Sequence, residues 1–354
     1  MQIRALNKML LILSAAAVLL AGCQNGGEAA APNAPVQTGE NPAPAEPAVT
    51  QPAAYVSPLT GEPVDAPLET RPLAVMINNA PAARPQSGLM DADIVYEVLA
   101  EGGITRLVAI YQSAEKVEKI GPVRSIRPYL IDLGESYHGV LVHAGGSTDA
   151  YALIQSLHKE DLDEISNAGA YFWRDKSRKA PHNLYTSVEK LRAGAKKRGY
   201  GLVDKQVPAY TFREADDPVE GETASQVEIK FLLNNYRVSY HYNAKTRLYE
   251  RYVGKKPHKD LDTGTGLTAA NVVIIGADHQ TLDKVGRLSV DLNSGGKAML
   301  LQRGKLIQGQ WVRKKNDVIR FVKDGAEVPL YPGKTYFNIV PNTGGFSSHV
   351  TITK

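Results

Sequence analysis

Two glutamates and an arginine stand close together in the stretch YEVLAEGGITRLVAIY, residues 96–111. A Gly-Gly pair separates two apolar, β-branched runs in this stretch, which is typical of a hairpin with a two-residue turn. Such a turn places Leu99 opposite Arg106. Because side chains alternate between the faces of a strand, we expect Glu97, Glu101 and Arg106 on one face of this hairpin.

Two roles fit a charged face of this kind. In the first, Arg106 neutralises both carboxylates, and the group is a buried network that supports the sheet, since an unpaired buried charge is costly. In the second, the group is the floor of a polar pocket, and Glu97 or Glu101 acts as a general acid or base. The residues of the hairpin alone fit both roles.

Two further arginines flank a serine in GPVRSIRPY, directly before a predicted helix. The free N–H groups at a helix N-terminus, together with Arg124 and Arg127, favour binding of a phosphate or carboxylate group. Ser125 lies between the arginines and belongs to the same candidate anion site. The alternative is that these arginines pair with the hairpin glutamates or with Asp132.

His143 stands near the end of a buried type of strand in VHAGGSTDA, before a Gly-Gly turn and a helix. Ligand sites of α/β folds lie at such strand ends, so His143 joins the hairpin glutamates as a candidate catalytic residue. The alternative is a hydrogen-bonded core histidine. The dinucleotide-binding pattern GxGxxG does not occur at these glycines.

A polar and aromatic loop, FWRDKSRKAPHNLYTS, supplies two more candidate ligand-binding residues, His182 and Asn183. Loops often carry binding residues, and aromatic faces suit sugar rings. The alternative is a structural loop that Trp173 and Tyr185 hold against the core.

Motifs of several other kinds of site are absent from the sequence. It contains no HExxH, no GxSxG and no P-loop, and its histidines lack metal-ligand spacing. Its single cysteine, Cys23, excludes disulfides and CxxC sites. We therefore expect no metal site and no cofactor. An enzyme with this sequence would be a metal-independent hydrolase or lyase that cleaves a glycan with a glutamate acid/base.

Strands and helices that would position these residues alternate in the first part of the chain. The runs at 72–81 and 139–147 predict strands. The predicted helix starts are Pro128 in a first turn, Thr148 or Asp149 as a cap, and Thr186 with Glu189 at capping-box spacing. This mixture of elements predicts an α/β or α+β domain at residues 57–205.

Short strand-like runs, from VEIKFLL to TYFNIVP, dominate the second part of the chain. They predict a mostly-β domain at residues 227–354. Residues 206–226 are richer in Pro, Asp and Glu and are expected to link the domains. A folded part of about 300 residues is long enough for two domains.

The first residues, MQIRALNKMLLILSAAAVLLAGC, predict export from the cytoplasm. Two basic residues, then an apolar run too short to span a membrane, indicate a signal peptide at residues 1–22. The ending LAGC resembles the lipobox of bacterial lipoproteins, which implies cleavage before Cys23 and lipidation of that cysteine with palmitate. The alternative is a plain signal peptide. Residues 23–56, rich in Ala and Pro, are expected to form a disordered tether.

The net charge of the exported part is weakly positive. Without the charged residues of the signal and the tether, the chain carries 39 basic and 34 acidic residues. This small excess does not indicate a nucleic-acid partner. It is compatible with attraction to anionic wall polymers or lipids.

Several motifs, in order, resemble the YerB-like lipoproteins of Gram-positive bacteria. They are the lipobox, RPLAVMINNAPAARPQSGL, ADIVYEVLAEGGITRLVAIY, IGPVRSIRPY, VHAGGS, APHNLYTS, GTGLTAANVVI, GGKAMLLQRGKLIQGQWVRK and YPGKTYFNIVP. The resemblance covers residues 57–354 and implies a two-domain lipoprotein on the extracytoplasmic face of the cell membrane, anchored through Cys23. The family is one of unknown function, so the resemblance assigns no catalytic residue.

Two classes of function follow from these residues. The first is a membrane-anchored lipoprotein that binds or processes a cell-envelope glycan, such as a cell-wall polymer, or another anionic ligand. Its pocket would combine Glu, Arg and His side chains of residues 57–205. The alternative is a non-catalytic scaffold or partner-binding lipoprotein in envelope assembly.

Overall fold

The computed structural model of the protein describes residues 55–354. The predicted signal peptide, Cys23 and most of the predicted tether lie outside the described residues. Tyr55 and Val56, which the sequence assigned to the end of the tether, form a short strand with Pro63 and Val64. The folded part therefore begins at least two residues earlier than expected.

The first part of the described chain combines strands with helices. Its strands are β1 (Tyr55–Val56), β2 (Pro63–Val64), β3 (Leu73–Asn78), β4 (Ile94–Leu99), β5 (Thr105–Tyr111), β6 (Val140–His143), β7 (Asp161–Asp163), β8 (Trp173–Arg174) and β9 (Leu184–Tyr185). Its helices are α1 (Pro128–Glu135), α2 (Thr148–Ser156) and α3 (Val188–Lys197).

The second part of the described chain is built from strands. They are β10 (Glu222–Thr223), β11 (Gln226–Ile229), β12 (Val238–Asn243), β13 (Leu248–Val253), β14 (Lys256–Pro257), β15 (Thr268–Ala269), β16 (Asn271–Ala277), β17 (His279–Thr281), β18 (Leu288–Val290), β19 (Gly296–Gln302), β20 (Lys305–Val312), β21 (Arg320–Lys323), β22 (Ala326–Glu327), β23 (Thr335–Pro341) and β24 (Val350–Thr353). The predicted fold class, an α/β part followed by a mostly-β part, is confirmed.

One large mixed sheet contains strands from both parts of the chain. Its order is β22-β21-β20-β19-β16-β23-β4-β5-β3-β6-β7, with β10 against β20. The two parts meet where β23 runs parallel to β4. The central strands are apolar on both faces, because both faces of the sheet are covered.

A smaller sheet covers one face of the large sheet. It has the order β14-β13-β12-β11-β24, with β15 against β13. Its buried side chains, such as Val227 and Tyr240, share a core with Val95 and Leu107 of the large sheet. Helix α1 covers the opposite face, where Leu130 packs with the core that contains Val108.

Six strands of the large sheet share one direction. Strands β3, β6 and β7 are parallel, as are β16, β23 and β4, and β5 lies antiparallel between β3 and β4. Their carboxyl ends therefore lie at the same end of the sheet, which we call the carboxyl end. Ligands of α/β proteins commonly bind outside this end of the strands.

The β4–β5 hairpin has a different register from the predicted one. Five residues, 100–104, connect the strands instead of two, so Val98 pairs with Arg106 and Glu97 pairs with Leu107. An odd number of connecting residues shifts β5 by one position, and this shift moves its side chains to the other face. The expectation that Arg106 shares a face with Glu97 is therefore wrong.

Two helix caps also differ from the prediction by one residue. Ser147 caps α2, instead of Thr148 or Asp149, and Ser187 caps α3, instead of Thr186. Each serine oxygen accepts a hydrogen bond from the backbone N–H three residues further on. Helix α1 begins at the expected proline. None of the helices in residues 55–354 has the length and apolar character needed to cross a membrane.

Candidate functional site

Glu101 and Arg127 form an ion pair at the carboxyl end of the large sheet. Glu101 lies in the connection between β4 and β5, and its carboxylate accepts a hydrogen bond from Nε of Arg127. Arg106 instead donates from Nη1 to the backbone carbonyl of Ser125, at 2.7 Å. The arginine of the hairpin therefore does not pair with either hairpin glutamate, contrary to the first of the two roles considered above.

Arg106 is a buried cation with incomplete hydrogen bonding. Its side chain is 7% exposed, and its Nε has no hydrogen-bond partner among the described residues. Burial, together with repulsion from Arg127 and Arg124, lowers the pKa of Arg106 to about 10. The positive charge of the Arg106 guanidinium is therefore not neutralised by an ion pair with a carboxylate of residues 55–354.

Arg124 adds a third guanidinium to the same place. It is half-buried, and its pKa is lowered by burial and by the charge of Arg127, with Glu101 acting in the opposite direction. We call Arg106, Arg124 and Arg127 the arginine cluster. Among residues 55–354, the cluster forms one salt bridge, between Arg127 and Glu101. Three positive charges therefore face one paired negative charge, and the cluster keeps an excess of positive charge.

Backbone pairing holds the arginine segment against the sheet. The N–H of Arg124 bonds to the carbonyl of Met76 in β3 at 2.8 Å, and Ile126 forms a parallel bridge with Gly146. Arg127 then precedes α1 as its N-terminal flanking residue. The sequence predicted a loop with these arginines directly before a helix, and the structure adds the pairing of this segment with the strand ends.

His143 lies in the core, where its imidazole is hydrogen-bonded to the backbone. It is fully buried, and its Nδ1 is 3.0 Å from the carbonyl oxygen of Gly145. Its Nε2 is 3.2 Å from Oδ2 of Asp161, and its Nδ1 is 3.6 Å from Oδ1 of Asp163. This geometry matches the alternative considered for His143, a core histidine, because no face of the ring is open to solvent.

Asp163 organises the turn that follows His143. Its carboxylate accepts hydrogen bonds from the N–H of Gly145 at 2.7 Å and from the hydroxyls of Tyr151 and Ser166, both at 2.8 Å. The turn thereby places Gly146 beside the arginine segment. Sequence patterns do not point to Asp163, because it is 20 positions away from His143 and becomes its neighbour only when β7 pairs with β6.

His182 lies beside the arginine cluster, whereas Asn183 supports its own loop. Nδ1 of His182 is 2.9 Å from Nδ2 of Asn78, and burial, with Arg124 and Arg178 nearby, lowers the pKa of His182. Asn183 is buried and donates to the carbonyl of Arg178 within the loop. His182 is therefore a neighbour of the arginine cluster, whereas the side chain of Asn183 is engaged within its own loop.

Glu97 lies on the other face of the sheet, away from the cluster. It is fully buried, and Oε2 accepts a hydrogen bond of 2.5 Å from Nη2 of Arg251. Oε1 accepts bonds from the hydroxyls of Tyr236 at 2.5 Å and Thr105 at 2.7 Å, and from Nδ2 of Asn79 at 3.1 Å. Both oxygens of this carboxylate are therefore hydrogen-bonded within the core.

Arg251 connects Glu97 to a chain of buried polar groups. Its side chain is fully buried, and its Nε donates to Nδ1 of His258 at 3.0 Å. Burial and the charge of Arg251 hold the pKa of His258 well below its usual range, so this imidazole is neutral. Nε2 of His258 is 2.7 Å from Oε1 of Gln86, which returns the chain to the first part of the sequence.

The sequence analysis missed Arg251. It stands two residues after the buried Tyr249 on β13, so both side chains point to the core face. The signal in the sequence is an arginine at an inward-facing position of a strand. This signal cannot be used from sequence alone, because the inward face of β13 is known only once the packing of the smaller sheet on the large sheet is known. Glu97 thus belongs to a structural network rather than to the arginine cluster.

Comparisons with known proteins match both parts of the chain. Residues 59–201 match the N-terminal domain, and residues 227–337 the C-terminal domain, of a family described as "Protein of unknown function (DUF3048)". The chain is 39% identical over 289 residues to "Putative lipoprotein YerB" of Bacillus subtilis (strain 168), covering 81% of this chain and 86% of that protein.

A solved structure is similar over the same region. The crystal structure of the YerB protein from Bacillus subtilis has a TM-score of 0.77 to this chain at 37% sequence identity, covering 85% of this chain and 100% of that one. These matches confirm the resemblance that the ordered sequence motifs indicated.

Proposed function

The chain belongs to the DUF3048 family, and on that premise we propose that it is a lipoprotein of the outer face of the cell membrane whose arginine cluster binds an anionic ligand. The anchor would be Cys23, in the lipobox LAGC. The ligand would carry phosphate or carboxylate groups, as anionic polymers of the cell envelope do.

The incomplete pairing of the arginine cluster carries this proposal. Within residues 55–354, Arg127 pairs with Glu101 while Arg106 and Arg124 form no ion pair, and Arg106 is nine-tenths buried with its Nε unpartnered. Guanidinium groups bind phosphate and carboxylate through strong, paired hydrogen bonds. A ligand anion would supply the acceptors that the described residues lack.

Binding is better supported than cleavage by a glutamate acid. Burial raises the pKa of Glu101, but the hydrogen bond from Arg127, a backbone hydrogen bond and the charges of Arg127 and Arg106 together outweigh burial and leave this pKa below the usual value. Glu101 is therefore an anion at neutral pH and has no proton to donate. Glu97 is buried and ion-paired with Arg251. Both carboxylates are thus engaged by arginines, which favours a role in binding or structure over proton donation in glycan cleavage.

Removing single arginines should weaken binding of a small polyanion. We expect Arg124→Gln and Arg127→Gln each to lower the affinity for inorganic pyrophosphate by about tenfold, measured by titration calorimetry at low salt. The matched control is Arg198→Gln, an exposed arginine that bonds to Tyr200 away from the cluster. Equal losses in all three variants, or no binding by the unmodified protein, would contradict the proposal.

Glu101→Gln tests the same site without removing a cation. Glu101 competes with any ligand for Arg127, so its neutral replacement should raise pyrophosphate affinity severalfold. A loss of affinity in this variant would mean that the carboxylate positions Arg127 instead of competing for it.

Anchoring through Cys23 has its own test. Cells that express the protein are grown with radiolabelled palmitate, and the label is followed in the membrane fraction. We expect labelling of the unmodified protein and none of Cys23→Ala, since a thiol at this position is the acceptor in the lipobox. Equal labelling of both would exclude Cys23 as the lipidated residue.

A further inference from the structure

Two loops at the carboxyl end of the large sheet expose aliphatic side chains. The connection from β11 to β12 carries Leu232, 56% exposed, and Leu233, 36% exposed. The connection from β17 to β18 carries Leu282, 52% exposed, and Val285, 75% exposed. We call these four side chains the apolar rim. Exposed aliphatic side chains gathered in adjacent loops indicate an interaction surface.

The glycines of the β4–β5 connection join the two loops into one surface. A side chain at Gly103 would approach Leu233 to 2.9 Å, and one at Gly286 would lie 3.9 Å from the N–H of Gly102. Both glycines of the hairpin also line two cavities, of about 250 Å³ beside Leu233 and about 400 Å³ beside Leu232. The hairpin therefore lies between the loop that carries Leu232 and Leu233 and the loop that carries Leu282 and Val285.

Basic groups surround the apolar rim. Arg287 forms an ion pair with Asp283 and lies near enough to Glu101 for that carboxylate to raise its pKa as well. Glu101 is in turn paired with Arg127, so the rim lies next to the arginine cluster. Lys230 and Lys284 flank the rim and have no ion pair among residues 55–354.

We propose that the apolar rim docks onto the surface of a bilayer that contains anionic lipid, with the arginine cluster facing the headgroups. The inference rests on the membrane anchoring proposed above. A bilayer interface offers hydrocarbon to exposed aliphatic side chains and negative charge to lysine and arginine within the same few ångströms. A purely apolar partner surface would leave Lys230 and Lys284 without counter-charges.

The chain between Cys23 and Tyr55 is long enough for a lipidated Cys23 and the apolar rim to contact the same bilayer. The first folded residues lie at the opposite end of the sheet, where the N–H of Gly333 bonds to the carbonyl of Thr60. Thirty-one residues separate Cys23 from Tyr55. A chain of that length spans at most about 100 Å, whereas β4, with six residues, is about 20 Å long. The lipid and the rim can therefore reach the same bilayer.

Docking can be measured without the lipid anchor. The chain from residue 24 onward contains no cysteine, so Val285→Cys introduces a unique attachment point for an environment-sensitive fluorophore. With vesicles of phosphatidylcholine and phosphatidylglycerol, we expect a blue shift and quenching by brominated acyl chains. The matched control is Val203→Cys, whose native side chain is 61% exposed and which pairs with Thr70 at the opposite end of the sheet. Its probe should not be quenched.

A second variant separates the rim from nonspecific attraction. Leu232→Asp, at an exposed position, should abolish quenching of the probe at 285 without affecting folding, which is checked by circular dichroism. Absence of quenching at 285, or equal quenching at 203, would overturn the inference. A spectral shift that depends on protein concentration and needs no vesicles would assign the rim to contact between two copies, and would also overturn it. Failure of palmitate labelling would contradict the lipidation of Cys23, whereas the vesicle experiment tests docking of the rim separately.

Discussion

Replacing Arg251 with methionine is expected to lower the free energy of unfolding by about 3–5 kcal/mol. Both members of the Glu97–Arg251 ion pair are fully buried, 2.5 Å apart. Methionine fills much of the volume of the arginine but leaves the Glu97 carboxylate without its counter-charge inside the core. Breaking one side of a buried pair is costly because the remaining charge has neither water nor a partner.

Denaturant unfolding of single and double variants measures this effect. Glu97→Gln combined with Arg251→Met should cost less than the two single losses added together, because the double variant leaves no buried charge. The control pair is Arg247–Asp216, where Arg247→Met removes an ion pair at the surface, with side chains 44% and 89% exposed. A loss for Arg251→Met no larger than the loss for Arg247→Met would contradict the assignment of a structural network to Glu97.

Replacing Asp163 with alanine is the second substitution with a large expected effect, a loss of about 3 kcal/mol. The change removes the acceptor for the N–H of Gly145 and for two hydroxyl groups in a fully buried position. Asp163→Asn keeps an acceptor oxygen and the volume of the side chain, so it should cost less. Because Gly145 leads into the bridge beside Ile126, the alanine variant should also weaken pyrophosphate binding, measured by the same calorimetry.

The charge of Asp163 predicts a dependence of stability on pH. Burial raises the pKa of this carboxyl, but hydrogen bonds from the Gly145 N–H and from the Ser166 and Tyr151 hydroxyls, together with the nearby His143, outweigh burial and hold the pKa below its usual 3.8. A carboxyl with a lower pKa in the folded state stabilises the fold above pH 3.8, and this contribution is lost as the pH falls below that value. The stability difference between the unmodified protein and Asp163→Asn should therefore shrink between neutral pH and about pH 3. A difference that stays constant would refute this assignment.

The different placements of two arginines show where sequence patterns succeed and where they fail. Arg127 stands directly before Pro128, and a helix that begins at this proline follows from local preferences alone. Arg106 was assigned to a face by counting residues across a Gly-Gly turn. The structure uses both glycines at positive φ, 67° and 72°, but within a longer connection, so the count changes from even to odd. One residue of register decides the face of every side chain on β5.

The pairing of Glu97 illustrates a second limit. Its partner Arg251 is 154 positions away in the sequence, on a strand of the smaller sheet. Local periodicity indicates that β13 is a strand and that alternate residues share a face. It does not indicate which face packs on which sheet, because that depends on how the two sheets stack. The charge that sequence analysis treated as a candidate acid is neutralised from a distant part of the chain.

Three features follow from the amino-acid sequence alone: the succession of strands and helices, the arginine segment before α1, and the family to which the ordered motifs belong. These features depend on local preferences and on motifs that are contiguous in the chain. The contacts of the site depend instead on the tertiary fold, which brings Arg106 to Arg124 and Arg127, pairs Glu97 with Arg251, and buries His143 in the core. Register and sheet stacking set these contacts, and both are settled by how well whole surfaces pack together rather than by neighbouring residues.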